Sequence, residues 1–429
     1  MTSITINPAA SITGEISVPG DKSISHRSIM LGAIANGTTT VRGFLRGGDN
    51  MATMSAFRGM GIQIADDGEV VTIKGRGLHG LTEPLDFIDC GNSGTTIRLL
   101  TGLLAGQSFF SIVTGDQYLR KRPMKRVVEP LSRMGALIQG RQSASLAPLA
   151  ISGRPLNAIG YDSPISSAQV KSAIMLAALY ADGETSVREP SLSRDHSERM
   201  FRLFGASLKT FNNGVTVRGG VELNGQEITV PGDISSATFF IVAALITPGS
   251  ELLIRNVGVN PTRSGAIEIL RAMGGSIEML EEREISGEPV ADILVRSSRL
   301  TGTAISGNVV PRAIDEFPAI CVAAACAEGT TTINDARELR VKETDRIAAM
   351  AKNLRLLGVP VEESDDGMTI TGVDVLAGGS VESFGDHRIA MSLSVAALVS
   401  KGGITVSDTE CVATSFPTFF QLLEQVARG

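Results

Sequence analysis

The 429-residue sequence has no Trp and only three Tyr, four Cys and four His, and aromatic residues make up 4% of it. Its formal net charge is -6. Proteins that hold single-stranded nucleic acid stack bases on aromatic rings in a positive groove, and this chain has neither feature in quantity. Cys90, Cys321, Cys326 and Cys411 form no CxxC pair, and the histidines are scattered. A disulfide framework or a metal site is therefore not expected, and the cysteines read as buried reduced thiols. No apolar run reaches the roughly 18 residues of a membrane span. The greasiest stretch, FFIVAALI (239–246), stops at Thr-Pro-Gly and reads as a buried helix. The opening MTSITINPAA lacks a basic region followed by an apolar run, so no signal sequence is read and a cytoplasmic location is expected. No GxxxxGK[ST] occurs, which excludes a P-loop, and GRGLHG (75–80) leads into LTEPLDF rather than a helix, so its GxGxxG match lacks the dinucleotide context.

Glycine is plentiful, at 47 residues. The length exceeds the roughly 250–300 residues at which single cores stop growing, so two domains are expected. VPGDKSIS (18–25) returns as VPGDISSA (230–237), each after a β-like run and before a small apolar helix-like run. Four further segments share the pattern of a polar turn, an apolar helix and a Gly-containing stop. They are 89–107, 163–187, 311–333 and 383–406, so repeats start near 18, 89, 163, 230, 311 and 383. Units of roughly 70 residues are too long for the common solenoid repeats. Between them lie more charged helical patterns, in 50–64, 124–138, 197–208, 263–277 and 346–361, each ending in Gly before a β-like run. One helix type should be buried and the other amphipathic. Six units suggest two pseudo-symmetric domains of three, with the chain crossing between them near Gly20 and Gly232.

Only the first PGD copy carries a Lys. Lys22 and Ser23 fall in the first turn of a helix, with Arg27 four residues past Ser23 on the same face. A helix start offers free N–H groups and a positive dipole end, so this set suits a phosphate. Cations recur at other repeat openings. Gly94, Thr95 and Arg98 lie in SGTTIR; Arg120, Lys121, Arg122, Lys125 and Arg126 in RKRPMKR; Arg340, Lys342 and Arg346 in ELRVKETDR; Arg388 in GDHR. In an acidic chain this clustering points to a site for a multiply anionic small molecule. Asp315, Glu316 and Glu343 sit among the cations, placed either as simple salt-bridge partners or as acid–base groups. His26, His79 and His196 read as structural; His387 is flanked by Asp386 and Arg388.

Seven motifs in this order, PGDKSISHR, GNSGTTIR, the KRPM loop, SSAQVKS, AIDEFP, RVKETDR and GDHRIAM, resemble the 3-phosphoshikimate 1-carboxyvinyltransferase (EPSP synthase) family. The likeness runs from about residue 10 to residue 420. It implies an α/β fold of two pseudo-symmetric domains, each of three βαβαββ-type units, the inverted α/β barrel of enolpyruvyl transferases. Residues 20–231 would form the shikimate-3-phosphate-binding domain, residues 1–19 plus 232–429 the C-terminal domain, with the active site in the cleft at the hinge. The implied reaction joins the 5-hydroxyl of shikimate-3-phosphate to C2 of phosphoenolpyruvate through a tetrahedral intermediate that loses phosphate. The implied catalytic residues are Asp315 for the hydroxyl proton, Glu343 for the proton at C3, and Lys22. Those implied for shikimate-3-phosphate are Lys22, Ser23, Arg27, Ser167, Gln169, Arg194, Asp315 and Lys342; for phosphoenolpyruvate, Lys22, Gly94, Arg122, Gln169, Arg346 and Arg388. No cofactor or metal is implied, and a monomer acting on two small molecules, without nucleic acid or membrane, is expected.

Leu99, Thr414 and Glu338 stand where the best-known form of the family has Pro, Lys and Asn. These changes resemble a second bacterial class whose members are often less sensitive to glyphosate, although Gly94 is retained. The neighbouring family, UDP-N-acetylglucosamine enolpyruvyltransferase, usually has a Lys-Asn pair at the first helix and a mobile-loop Cys. Here the pair is Lys22–Ser23 and TGDQYLRKRP has no Cys. A non-catalytic anion-binding protein on the same scaffold would be marked by loss of Asp315, Glu343 or the arginines, and all are present.

Overall fold

The computed structural model describes residues 2–429. The chain forms two compact units, one of residues 1–19, 231–284 and 289–429, the other of residues 20–230 and 285–288. Pro231 thus goes with the first unit, and no sequence pattern marks the short 285–288 piece. Each unit has its own apolar core.

Six inner helices open the repeats: α1 (Lys22–Ile34), α2 (Gly94–Ala105), α3 (Ala168–Ala178), α4 (Ile234–Ile246), α5 (Phe317–Ala325) and α6 (His387–Ala397). They are made of small and branched apolar residues and are buried almost throughout, α4 from Ile234 to Leu245. A helix buried on every face cannot send its first amides to water, so it needs caps. Asp21 accepts from the Ile24 amide at 2.9 Å and Asp233 from the Ser235 amide at 2.8 Å. The Asp of both PGD copies is therefore an N-cap. Ser93, Ser167 and Asp386 cap α2, α3 and α6 in the same way.

The outer helices are amphipathic; Lys125–Arg133 buries only Val127, Val128, Pro130 and Leu131. Five of them end at a glycine with positive φ, Gly61, Gly135, Gly205, Gly274 and Gly358, the conformation a helix C-terminus needs and other residues resist. Three also share a clasp. Arg58 donates twice to the Ile64 carbonyl, at 3.1 and 2.8 Å, Arg271 to Ile277 at 3.1 and 2.8 Å, and Arg355 to Val361 at 3.0 and 2.9 Å. Each arginine fixes its helix to the strand six residues on.

The sheets repeat too. In the sheet ordered Ile88–Asp89, Phe110–Thr114, Leu146–Ser152, Leu137–Gly140, the first pair is parallel and the rest antiparallel. The same order recurs for Gly160–Asp162, Glu184–Arg188, Gly214–Arg218 and Leu208–Phe211, and for Ala304–Ile305, Thr330–Ile333, Gly367–Thr371 and Val361–Ser364. This is the βαβαββ-type unit expected of the fold, and the last sheet, ordered Ser3–Ile6, Ser400–Ser407, Leu376–Glu382, has three strands only. The PGD repeats add an exchange. Ser11–Ser17, which leads into α1, lies parallel to Glu251–Gly258, the strand after α4. Glu227–Thr229, which leads into α4, lies parallel to Asn36–Arg42, the strand after α1. The chain turns through Gly20 with no room for a side chain, since a Cβ there would come within 1.8 Å of the Gly43 carbonyl oxygen.

Inner and outer helices are also joined by a row of side chains. His26 Nδ1 lies 2.8 Å from the Thr53 hydroxyl, which lies 2.7 Å from that of Thr96, itself 2.7 Å from Ser93 Oγ. His26 is fully buried, and burial, then the charges of Lys22 and Arg27, holds its pKa well below 6.5. Above pH 6.5 neither state takes up a proton; below it the unfolded chain protonates this histidine and the folded chain does not. Each further pH unit then removes up to about 1.4 kcal/mol of stability. Replacing His26 by Gln should therefore flatten the fall in melting temperature between pH 7 and 5 measured by calorimetry, and an unchanged slope would place that loss elsewhere.

Candidate active site

In the unit of residues 20–230 the expected residues gather at the starts of α1, α2 and α3. Arg27 is buried and held on three sides, by Ser197 Oγ at 2.7 Å, Ser172 Oγ at 2.6 Å and the Ser23 carbonyl at 3.0 Å. Burial pulls its pKa down to about 10, against the opposing pull of Glu198 and Asp21. Lys22 Nζ forms an ion pair with Asp49, from the first turn of the following outer helix, and Asn50 donates to the Lys22 carbonyl at 3.1 Å. Gln169 joins two helix starts, accepting from Arg98 Nη1 at 2.6 Å and donating to Thr95 Oγ1 at 3.0 Å. The helices meet closely because Gly102 of α2 has no side chain; a Cβ would lie 2.1 Å from the Ala173 carbonyl oxygen of α3. Arg122 follows the short turn Leu119–Lys121 and reaches back to the Asn92 carbonyl at 3.4 Å. Its guanidinium lies across Gly94, whose missing Cβ would be 2.8–2.9 Å from Nη1, Cζ and Nη2. Arg194 lies within electrostatic reach of Arg27.

The other unit gathers Asp315, Lys342, Glu343, Arg346 and Arg388. Arg346 is 1% exposed. Its Nε donates to Asp386 at 2.8 Å, Nη1 to Asp315 at 3.2 Å and Nη2 to Glu343 at 2.6 Å. Three carboxylates outweigh the desolvation of this guanidinium and hold it firmly protonated. Lys342 Nζ lies 3.6 Å from Asp315 Oδ1, and burial still pulls its pKa below the usual lysine range. Arg388 donates to the Asp315 carbonyl at 3.0 Å. Asp386 both caps α6, accepting from the Arg388 amide at 2.9 Å, and orients Arg346. The second PGD copy lies in the same unit. There Arg263 donates to Asp233 at 3.1 Å and to Ser235 at 2.6 Å, while Ser235 donates to the fully buried Glu316. The cation and the anion at this helix start are both supplied by the chain itself, so Ile234 suffices where the first copy has Lys22.

His26, His79 and His196 have structural partners: Thr53, an edge contact with Tyr180 at 5.7 Å, and Glu288 at 2.7 Å. Sequence reasoning missed Asp49, Arg263 and the buried Lys171, and took Asp386 only as a neighbour of His387. Each is paired with residues 18 or more positions away, apart from the capping role of Asp386, so only that cap had a local signal.

Two triplicated βαβαββ units with cations and carboxylates grouped at helix starts define an enolpyruvyl transferase-like architecture. The family model for EPSP synthase (3-phosphoshikimate 1-carboxyvinyltransferase) matches residues 6–423. A 3-phosphoshikimate 1-carboxyvinyltransferase of Pelobacter propionicus is 76% identical over 429 residues, covering 100% of both chains. One from Geobacter sulfurreducens is 70% identical over 427 residues, again covering 100% of both. Among solved structures, an EPSP synthase from Acinetobacter baumannii superposes with a TM-score of 0.89 at 50% identity, covering 100% of this chain and 98% of that one. The chain belongs to the EPSP synthase family.

A methyl group at Gly94 must push Arg122 aside. Gly94→Ala should raise the KM for phosphoenolpyruvate about tenfold or more, the loss of one charge-assisted contact, with the KM for shikimate-3-phosphate nearly unchanged. Equal KM values in wild type and variant would separate Gly94 from the phosphoenolpyruvate site.

Proposed function

We propose that this chain transfers the carboxyvinyl group of phosphoenolpyruvate to the 5-hydroxyl of shikimate-3-phosphate, releasing phosphate, in the shikimate pathway of aromatic amino acid biosynthesis. Membership of the family supports the reaction. The observation that carries the residue assignment is that Asp315 and Glu343 lie on one guanidinium, at 3.2 and 2.6 Å from Arg346.

In the addition step C2 gains the bond to O5, Asp315 takes the hydroxyl proton, and C3 gains a proton delivered by Glu343. In the elimination step C3 returns its proton to Glu343, the bond from C2 to the phosphate oxygen breaks, and Asp315 passes the hydroxyl proton to the leaving phosphate, which restores both carboxyl groups. Lys22, Ser23, Arg27, Ser167, Gln169 and Arg194 hold shikimate-3-phosphate. Gly94 and Arg122, with Lys22, Gln169, Arg346 and Arg388, hold phosphoenolpyruvate, the arginine forks suiting both its carboxylate and its phosphate. Lys342 neutralises charge that develops on the shikimate side. We take residues 20–230 as the shikimate-3-phosphate domain. The enzyme is taken to work as a cytoplasmic monomer. The lack of a Cys in TGDQYLRKRP and the family match disfavour the nucleotide-sugar reaction.

Phosphate release from phosphoenolpyruvate should depend on shikimate-3-phosphate and not on UDP-N-acetylglucosamine; the reverse dependence would overturn the reaction. Asp315→Ala should lower turnover about 10²–10⁴-fold, the range for loss of a general base, while calorimetry still detects shikimate-3-phosphate binding. Turnover at the wild-type rate would overturn the base assignment alone.

A further inference from the structure

Beneath the start of α3 lies an ionic group that the mechanism does not use. Lys171 is 1% exposed at its side chain and lies between two buried carboxylates, Glu189 at 3.1 Å and Glu198 at 2.8 Å. The Lys171 ammonium also reaches the Ser193 carbonyl at 3.4 Å. Burial pulls its pKa down, and the two carboxylates more than offset this. A buried ion pair is a poor source of stability, since packed apolar residues often do as well, whereas removing one partner is costly. Its consequence here is geometric.

Glu189 ties two loops together. One of its oxygens accepts from the Ser167 amide at 2.8 Å; the other accepts from the Ser193 amide at 3.3 Å, and the Ser193 hydroxyl lies 2.7–2.8 Å from both. Ser167 is the cap of α3, and Ser193 directly precedes Arg194. Glu198 acts on the other side. The neighbouring residues Lys171 and Ser172 pair with the neighbouring residues Glu198 and Ser197, at 2.8 and 2.6 Å. Ser172 and Ser197 are the two hydroxyls that grip Arg27, at 2.6 and 2.7 Å. Ser167, Arg194 and Arg27 thus all depend on one buried ammonium, although none of them touches it.

We propose that Lys171, acting through Glu189 and Glu198, is the positioning residue of the shikimate-3-phosphate half-site. The inference rests on the assignment of that substrate to residues 20–230. Lys171 touches no ligand; it sets the spacing of a hydroxyl and two guanidinium groups around a phosphate. A point charge between two carboxylates fixes both loops at once, which an apolar side chain of the same size cannot do.

The test compares wild type, Lys171→Met, Lys171→Arg and Glu189→Gln. Phosphate release gives a KM for each substrate, calorimetry gives the affinity for shikimate-3-phosphate alone, and a thermal melt gives stability. Lys171→Met and Glu189→Gln should weaken shikimate-3-phosphate binding and raise its KM about tenfold or more, as loss of hydrogen bonds to charged groups does. The phosphoenolpyruvate KM at saturating shikimate-3-phosphate should stay within about twofold, and Lys171→Arg should recover most of the loss. If Lys171→Met does not fold, Glu189→Gln, which keeps shape and acceptor, decides. A melting temperature that falls while both KM values hold, or KM values that rise together, would overturn the proposal. Phosphate release by wild type without shikimate-3-phosphate would instead overturn the substrate assignment on which it rests.

Discussion

A helix buried on every face has nowhere to send the amide hydrogens of its first turn except to its own side chains or to a ligand. Six such helices lie inside this protein, and Lys22, Arg27, Asp315 and Arg388 of the candidate site lie at or beside their starts. Five are closed by Asp21, Ser93, Ser167, Asp233 and Asp386. The remaining first-turn amides and the positive end of the helix dipole still attract anions. Stability and anion affinity therefore arise from the same backbone groups. The fold can repeat one supersecondary unit and vary only the side chains at its opening turn.

The two PGD turns show how far such variation goes. At α1 the lysine is set by Asp49, leaving the turn lined by Lys22, Ser23 and Arg27. At α4 the same turn is filled from within by Arg263 and Glu316. Glu316 adjoins Asp315, so the silent copy of the turn helps to place the segment that carries a catalytic carboxylate in the proposed reaction.

A buried ionic group is held charged most firmly where opposite charge replaces the water it lost. Arg346 meets three carboxylates and Lys171 meets two. Arg27 is surrounded mainly by hydroxyls, and its pKa falls. An anionic ligand at Arg27 would restore what burial removes there.

The repeat, the buried and amphipathic helix types, the glycine stops and the family motifs were all legible in the sequence. They depend on residues within about one helical turn of each other, and local propensity and capping act over that range. Lys22 and Ser23 could be placed in a first helical turn for the same reason. The partners could not. Nothing local sets Lys22 against Asp49 or Lys171 between Glu189 and Glu198. Coulomb attraction has no preferred sequence direction, and many carboxylates were available to each cation. Chain closure and core packing chose among them, so the helices and their anion-seeking ends belong to the sequence, and the identity of each charge's partner belongs to the tertiary fold.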